Sequence, residues 1–154
     1  MMLAFRKANE FDELLTFNWV NDDLVRKNSY KSDIIKLEDH INWFKKAIKD
    51  KNLEFLIFFV DNNPIGQIRI SRINENESLI GILVDINYRG KGYSTSMLKI
   101  SSDYYLKLNC GCKILAYIKN ENITSQKSFL NAGYTFFKEE VIMGVNSKIL
   151  IYGN

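Results

Sequence analysis

The most informative segment of this chain is Gly81-Ile82-Leu83-Val84-Asp85-Ile86-Asn87-Tyr88-Arg89-Gly90-Lys91-Gly92-Tyr93-Ser94. Its apolar first half is typical of a buried strand, and helical spacing of apolar residues follows it. Amide groups at the start of a helix point towards whatever lies in front of it, and the helix dipole favours an anion there. Gly90 and Gly92 let the main chain approach a phosphate closely. Arg89 and Lys91 add positive charge, so the segment predicts a cradle for a pyrophosphate.

Two better-known phosphate-binding motifs are absent from this segment. It lacks the Gly-Lys-Ser/Thr ending of a P-loop and the three-glycine fingerprint of a dinucleotide fold. An ordinary strand-to-helix turn stays open as the alternative, because a single Gly-x-Gly is a weak signal. The residues alone therefore favour an anion site without naming the anion.

Apolar periodicity divides the rest of the chain into eleven elements. Strands are predicted at residues 2–7, 53–60, 65–73, 79–86, 113–118, 134–143 and 148–152. Helices are predicted at 37–48, 95–108, 123–131 and 10–20, the last from the spacing of Phe11, Leu14, Leu15 and Val20. This order predicts an α/β (α+β) domain with a mixed, mostly antiparallel sheet and helices on both faces. No repeat or linker interrupts it, so we expect residues 1–154 to form a single domain.

Composition narrows the classes of function. A net charge of +3 in 154 residues is too small to indicate a nucleic-acid partner. The N-terminus has no long apolar run, so neither a signal peptide nor a membrane contact is predicted. Cys110 and Cys112, separated by one glycine, are expected to be free thiols in a reducing, cytoplasmic setting. No His or Cys cluster accompanies them, so no metal is expected. Both a monomer and a homodimer are left open.

The segment around Arg89 resembles the acetyl-coenzyme A motif of the GNAT family of N-acetyltransferases. The family pattern is Gln/Arg-x-x-Gly-x-Gly/Ala, which Arg89 and Gly92 match, whereas Ser94 departs from the last position. A second family stretch follows at the expected distance: Asn122-x-x-Ser125-x-x-Ser128-Phe129-x-x-x-Gly133-Tyr134. The predicted order of elements also fits, so the resemblance covers essentially the whole chain.

The resemblance implies acetyl-coenzyme A as co-substrate and a GNAT fold in which the central strands splay apart near Val84 and Lys113. Main-chain groups of Ile82, Leu83 and Val84 would pair with the pantetheine arm, and one N–H would polarise the thioester carbonyl. The pyrophosphate would be held by Arg89 and by the amides of Gly90, Lys91, Gly92, Tyr93 and Ser94. Asn122 would contact the cofactor near its thiol, and Lys127 would assist with its phosphates.

Acid and base catalysis is less clearly marked. Many family members place a tyrosine general acid where this chain has Phe129, which cannot donate a proton. Tyr117 is the nearest substitute, because it lies five residues before Asn122, where some members have a catalytic carboxylate. Glu77 is the candidate base, acting through water. Tyr117 could instead be a buried strand residue, and Glu77 a solvated acid in a turn.

The acceptor amine is expected to bind near the N-terminal helices and the hairpin. A predicted loop offers hydrogen-bond donors and an aromatic ring at Arg26, Asn28, Ser29 and Tyr30. Gln67 and Arg69 could face the same cleft. His40 is a further candidate, although a lone histidine is more often structural. A capped helix pair with a solvated loop is the simpler interpretation of this region.

Three functions follow from these residues. The pattern Trp-x-Asn-Asp…Val-Arg…Ser-Tyr…His-x-x-Trp-Phe resembles acetyltransferases of nucleotide-sugar pathways, including the enzyme that acetylates a 4-amino sugar nucleotide in pseudaminic acid synthesis. The acceptor would then be the primary amine of an amino-sugar nucleotide. Ribosomal-protein N-terminal acetyltransferases share a comparable Trp…His-x-x-Trp layout and are the second possibility. A non-catalytic acetyl-coenzyme A binding module is the third, supported by Phe129 alone.

Overall fold

The computed structural model describes residues 2–153 and contains, within them, seven strands and five α-helices. The strands are β1 (Leu3–Lys7), β2 (Leu53–Val60), β3 (Asn63–Arg72), β4 (Glu77–Val84), β5 (Lys113–Lys119), β6 (Thr135–Ile142) and β7 (Val145–Tyr152). The helices are α1 (Glu13–Val20), α2 (Asp23–Asn28), α3 (Leu37–Ala47), α4 (Tyr93–Leu108) and α5 (Ile123–Asn131). Short 3-10 turns precede α1 at Glu10–Asp12 and follow β4 at Ile86–Tyr88.

All seven strands form one sheet in the order β1-β2-β3-β4-β5-β7-β6. The β4–β5 pair is parallel and every other pair is antiparallel, so the predicted mixed, mostly antiparallel GNAT sheet is confirmed. Two tight turns, Asp61-Asn62 and Met143-Gly144, have positive φ at both positions and close the β2–β3 and β6–β7 hairpins. These turns are shorter than expected, so β3 begins at Asn63 and β7 at Val145.

The two central strands separate soon after they meet. The β4–β5 ladder contains three pairs, Glu77 with Lys113, Ser78 with Ile114 and Leu79 with Leu115. Beyond Leu79, β4 stays paired with β3 as far as Val84, and β5 stays paired with β7 as far as Lys119. The pairing of β4 with β3 and of β5 with β7 therefore holds the two central strands apart and leaves a gap between them.

Helices cover both faces of the sheet because the strand side chains alternate between two apolar cores. On one face, α4 and α5 contribute Met97, Leu98 and Phe129 to a core with β-strand residues such as Ile68 and Ile114. On the other face, α1 and α3 contribute Trp19, Val20, Phe44 and Ala47, which pack on Phe55, Ile57 and Leu83. The predicted placement of helices on both faces is confirmed.

The N-terminal helical region differs from the prediction in two ways. The α-helix begins at Glu13, after a turn capped by Asn9, and the expected core residues Phe11 and Leu14 are 84% and 60% exposed. The predicted loop after residue 22 instead contains α2, whose first amides are capped by Asp22. A helix of six residues is too short to show apolar periodicity in the sequence. The capping residue Asp22 is therefore the one sequence signal for α2.

Gly66 lies on β3 opposite Val84 of β4, in crowded surroundings. A Cβ atom there would overlap the carbonyl oxygen of Leu83 and lie 3.0 Å from Cε of Met97. We expect Gly66→Ala to lower the free energy of unfolding by about 1 to 3 kcal/mol, the usual cost of overpacking. Urea titration measures this change. Gly81→Ala is the matched control on the neighbouring strand, because a Cβ there has no neighbour within 4 Å. Equal stability of the two variants would contradict the account.

Candidate functional site

The gap between β4 and β5 opens into a cavity of about 780 Å³. Its volume lies within the range of about 300–1,000 Å³ that is typical of small-molecule sites. The walls come from the second half of β4, the end of β5, the start of α5, the loop before α4, α2 and β3. Predicted site residues in the lining are Arg26, Asn28, Ser29, Tyr30, Gln67, Arg69, Ile82, Leu83, Val84, Arg89, Gly90, Ser94, Tyr117 and Asn122.

The edge of β4 that faces the gap carries unpaired main-chain groups. The N–H of Asp85 donates to the carbonyl of Ile65 at 2.7 Å, on the β3 side. Because main-chain groups alternate along a strand, the N–H groups of Ile82 and Val84 point to the opposite side, where the β5 ladder has already ended. The same alternation turns the main-chain groups of Leu83 towards β3. Ile82 and Val84, rather than Leu83, therefore offer donors to the gap.

The loop before α4 contains two glycines in the left-handed backbone conformation. Gly90 and Gly92 have φ values of 73° and 84°, which only glycine adopts without strain, and a Cβ at either would meet nothing within 4 Å. Gly92 is the N-cap residue of this sixteen-residue helix and has no side chain that could cap it. Gly90 and Ser94 line the cavity, whereas Lys91 is exposed with its ammonium 5.7 Å from the ring of Tyr88. Tyr93 packs on that same ring.

Arg89 is held by protein atoms. Its Nε donates to the carbonyl of Val84 at 2.9 Å, and its guanidinium forms an ion pair with Asp22 at 2.9 Å. Burial alone would raise the pKa of Asp22, but hydrogen bonds from Arg89 and from the amides of Val25 and Leu24, with the arginine charge, lower it below its ordinary value. Arg89 thus joins the end of β4 to the α1–α2 corner. The charge of Arg89 is therefore paired, and its part in cofactor binding stays a prediction.

Trp19 strengthens the same junction. Its indole N–H donates to the carboxylate of Asp85 at 2.9 Å, and the other oxygen of Asp85 accepts from the amide of Asn87. Asn21 exchanges two hydrogen bonds with the main chain of Ile35. The Trp-x-Asn-Asp sequence is therefore explained by fold contacts, as the simpler interpretation of a capped helix pair expected.

Two candidate residues of α5 lie in different surroundings. Asn122 lines the cavity, and its side-chain oxygen caps α5 by accepting from the amide of Ser125 at 3.2 Å. Lys127 lies on the exposed face of α5 and is not part of the cavity wall. Phe129 is buried in the wall, with its ring edge-on to Tyr134 at 4.9 Å.

The two candidate catalytic residues are separated by the structure. Tyr117 is half-buried in the cavity wall, and its hydroxyl makes no hydrogen bond to another described residue. Glu77 begins β4 at the paired end, outside the cavity, and accepts a hydrogen bond from the side chain of Asn74 at 3.0 Å. The turn thus holds Glu77 away from the gap, and its proposed role as base is not supported.

Arg26 lines the cavity but is held by hydrogen bonds to protein atoms. Its guanidinium donates to the carbonyls of Val20 at 2.6 Å and Lys31 at 2.9 Å, and also to the hydroxyl of Ser29. Burial lowers its pKa. Ser29 in turn donates to the carbonyl of Val25 at 2.6 Å. These bonds fix the chain after α2, so Arg26 contributes charge to the cavity but has few donors left for a ligand.

Tyr30 and Asn28 complete this wall. The hydroxyl of Tyr30 donates to Ser147 at 2.7 Å, and burial raises its pKa. The ammonium of Lys119 lies 5.8 Å from the Tyr30 ring. Asn28, on the last turn of α2, makes no side-chain hydrogen bond to the described residues and lines the cavity.

His40 is buried and does not reach the cavity. Its Nε2 lies 3.0 Å from the carbonyl of Glu13 and 3.1 Å from the hydroxyl of Thr16, and its ring contacts Phe17, Trp43 and Phe44. Burial lowers its pKa. The structural alternative for His40 is therefore the one that these contacts support.

The cavity wall carries more positive than negative charge. Its basic residues are Arg26, Lys27, Arg69, Arg89 and Lys119, and its one acidic residue is Glu121. Asp22 neutralises Arg89 but does not line the cavity. Sequence reasoning missed Lys27, Lys119 and Glu121, because their place on the wall depends on where β5 leaves the sheet. The net effect is a basic cleft.

Residues 2–153 contain neither a helix suited to cross a membrane nor a cluster of metal-binding side chains. None of their helices is long and apolar enough to cross a membrane. They hold no group of three or more His, Cys, Asp and Glu side chains placed to bind a metal ion. Cys110 and Cys112 are both free thiols, the first exposed and the second buried.

Comparison with known proteins agrees with this geometry. Residues 2–135 match the Acetyltransferase (GNAT) domain. Acetyltransferase PseH of Campylobacter jejuni subsp. jejuni serotype O:23/36 (strain 81-176) is 24% identical over 138 residues, which are 88% of this chain and 85% of that protein.

Solved structures match over nearly the whole chain. Spermidine N-acetyltransferase from Vibrio cholerae, solved with CoA and spermine, has a TM-score of 0.87 at 18% identity and covers 97% of this chain and 94% of its own. Aminoglycoside acetyltransferase AAC(6')-Ib, solved with coenzyme A and kanamycin, has a TM-score of 0.84 at 14% identity, with 98% and 94% covered. These likenesses establish a shared fold.

The Asp22–Arg89 pair predicts a pH-dependent stability. Asp22→Asn keeps a good helix cap but removes the charge, and should lower the free energy of unfolding by about 1 to 3 kcal/mol at neutral pH. Because the folded pKa of Asp22 lies below its ordinary value, this stabilisation is present above about pH 4 and is lost as the pH falls through the folded pKa. Urea titrations at pH 7 and pH 3 measure the difference.

The control for this comparison is Asp23→Asn, which changes an exposed neighbour in the first turn of α2. It should not reproduce the pH dependence. A difference between wild type and Asp22→Asn that is the same at both pH values would refute a stabilising role for the ion pair.

Proposed function

We propose, from the premise that this chain belongs to the GNAT acetyltransferase family, that its acceptor is the primary amine of an amino-sugar nucleotide. The chain is an acetyl-CoA-dependent N-acetyltransferase; the acceptor and the roles of individual residues are the proposal. The observation that carries it is the basic wall of the cavity, where Arg26, Lys27, Arg69 and Lys119 accompany one acidic residue and a fifth basic residue, Arg89, is paired with Asp22. Such a wall attracts a diphosphate and repels a polycation.

The gap and the loop suit the cofactor. The N–H groups of Ile82 and Val84 would pair with amide groups of the pantetheine arm, as an added strand does, and the Ile82 donor would stabilise negative charge developing on the thioester oxygen. Amides of residues 90–94, assisted by Lys91, would hold the pyrophosphate at the N-terminus of α4. Asn122 would lie beside the arm. When bound, acetyl-CoA supplies the acetyl group as an activated thioester.

Tyr117 is the proposed general acid. It lies on the β5 side of the gap, and its hydroxyl has no protein partner among the described residues. It would donate a proton to the departing thiolate, the task that Phe129 cannot perform. The cavity wall holds no histidine, and its one carboxylate is Glu121, so we assign no protein base.

The acceptor side distinguishes the remaining alternatives. The spermidine and aminoglycoside enzymes with this fold were solved with polycationic ligands, which the basic wall here would repel. The basic N-termini of ribosomal proteins would meet the same repulsion. A phosphate-bearing amino sugar would not, and the resemblance to nucleotide-sugar acetyltransferases supports it. Because the chain is a GNAT enzyme, the non-catalytic module is set aside.

We also propose that the whole chain is one domain, since the sheet is continuous from β1 to β6. A cytoplasmic location and a monomeric or homodimeric state stay predictions.

A thiol-release assay with acetyl-CoA tests the acceptor class. We expect turnover with a 4-amino-sugar nucleotide and at least tenfold lower kcat/KM for spermidine, kanamycin and ribosomal N-terminal peptides. Raising the ionic strength should narrow this preference, because the charge of the cleft is then screened. Preference for a polyamine or a peptide would overturn the proposal.

Removing the Tyr117 hydroxyl should slow the chemical step. Tyr117→Phe is expected to lower kcat by about 100-fold, the lower range for general acid catalysis, with the KM for acetyl-CoA nearly unchanged. Tyr104→Phe is the control, because Tyr104 on α4 packs on Phe5 of β1 and does not line the cavity. Unchanged kcat in Tyr117→Phe would exclude it as the acid.

A further inference from the structure

The floor of the cavity contains a buried amide with no protein partner. Gln67 on β3 is 3% exposed, lines the cavity, and its Oε1 has no hydrogen bond within residues 2–153. A buried amide left unsatisfied costs about 1 to 3 kcal/mol. Folding alone gives no reason to keep glutamine between Ile57 and Leu83, its apolar neighbours across the sheet. A ligand group that bonds the amide would supply one.

Arg69 lies two residues further along the same strand. Its guanidinium stacks on the ring of Trp43 at 4.9 Å, and no carboxylate of the described residues pairs with it. Burial lowers its pKa, and the positive charge of Arg26 lowers it further. Arg26 and Arg89 donate hydrogen bonds to protein atoms. The guanidinium of Arg69 donates none to the described residues, so its N–H groups are available to a ligand.

The side chains of Gln67 and Arg69 lie on the same face of the sheet but extend to different distances from it. Residues i and i+2 of a strand are about 7 Å apart and share a face. The short amide of Gln67 stays near the floor, beside Leu83, whereas Arg69 extends outwards to the partly exposed Trp43 of α3. Arg69 pairs across the sheet with Gly81, where the absence of a side chain leaves open space. The floor between the arginine and the β4 edge is therefore clear.

We propose that Gln67 and Arg69 form a two-point recognition site for the acceptor. Gln67 hydrogen-bonds the reacting amine near the β4 edge, and Arg69 binds a phosphate one sugar ring further out. The spacing of the two residues suits a hexose with nitrogen on one side of the ring and phosphate on the other. This inference rests on the proposed function and narrows it. The enzyme should select an amino sugar that carries phosphate at the anomeric position.

Arg69→Met tests the phosphate contact. With a 4-amino-sugar nucleotide, we expect the KM to rise by about 10- to 100-fold, because a charge-assisted hydrogen bond is lost. With the methyl glycoside of the same amino sugar, which has no phosphate, the KM should be unchanged. Arg72→Met is the matched control, since Arg72 is on the same strand but bonds Asn109, outside the cavity. A KM that rises equally for both acceptors would overturn the role of Arg69.

Gln67→Leu tests the second contact. It keeps the side-chain size but removes the amide, so kcat/KM should fall by about tenfold or more for both the nucleotide and the methyl glycoside. The same variant should be at least as stable as wild type in urea titration, because an unsatisfied buried group is removed. Unchanged kcat/KM for both acceptors would overturn this half of the inference.

Binding of UDP separates the failure of this inference from the failure of the proposed function. If no amino sugar is turned over, the proposed function fails, yet UDP supplies the phosphates that Arg69 should bind. Calorimetry should then give a Kd for UDP that rises about tenfold or more in Arg69→Met and stays constant in Arg72→Met. No UDP binding to wild type, or equal binding by Arg69→Met, would overturn the inference.

Discussion

The early separation of β4 from β5 is the constraint on which the rest of the site depends. After Leu79 and Leu115, each strand keeps a full ladder on its other side, so the gap cannot close by a change in one strand alone. Main-chain donors that a regular sheet would satisfy internally stay open to the cavity. Ile82 and Val84 thereby acquire a binding capacity that no side chain supplies. A thioester that pairs with them needs no special residue for its activation.

The three arginines near the gap, Arg26, Arg69 and Arg89, have different roles. Arg89 and Arg26 both form hydrogen bonds within the fold. Arg89 joins the end of β4 to Asp22, and Arg26 holds the chain after α2 in place. The charge of Arg26 still adds to the basic character of the cleft, whereas the charge of Arg89 is paired with Asp22. Arg69 has no carboxylate partner among the described residues, and the side-chain oxygen of Gln67 on the same strand accepts no hydrogen bond from them. We expect substrate specificity to depend on polar groups that form no hydrogen bonds within the fold, because groups that already bond protein atoms have few hydrogen bonds available for a ligand.

Sequence reasoning recovered the features that local patterns encode. The order of the predicted elements indicated the fold class, and the seven strands were predicted from apolar runs and from alternation. It failed where long-range contacts decide. Phe11 and Leu14 had helical spacing but lie on the solvent side, and Asp22 and Arg89, distant in sequence, neutralise each other. Glu77 and His40 were plausible by residue type, yet Asn74 holds one in a turn and Thr16 lies against the other in a core. Such pairings become visible only after folding.

Amide hydrogen exchange along β4, measured by NMR with and without acetyl-CoA, tests the central claim most directly. The amides of Ile82 and Val84 should exchange quickly in the free protein and become protected when the cofactor binds. Those of Gly81 and Leu83, which face β3, should be protected in both states and serve as internal references. Cofactor binding that leaves Ile82 and Val84 unprotected would contradict the claim that the gap between β4 and β5 is the cofactor site.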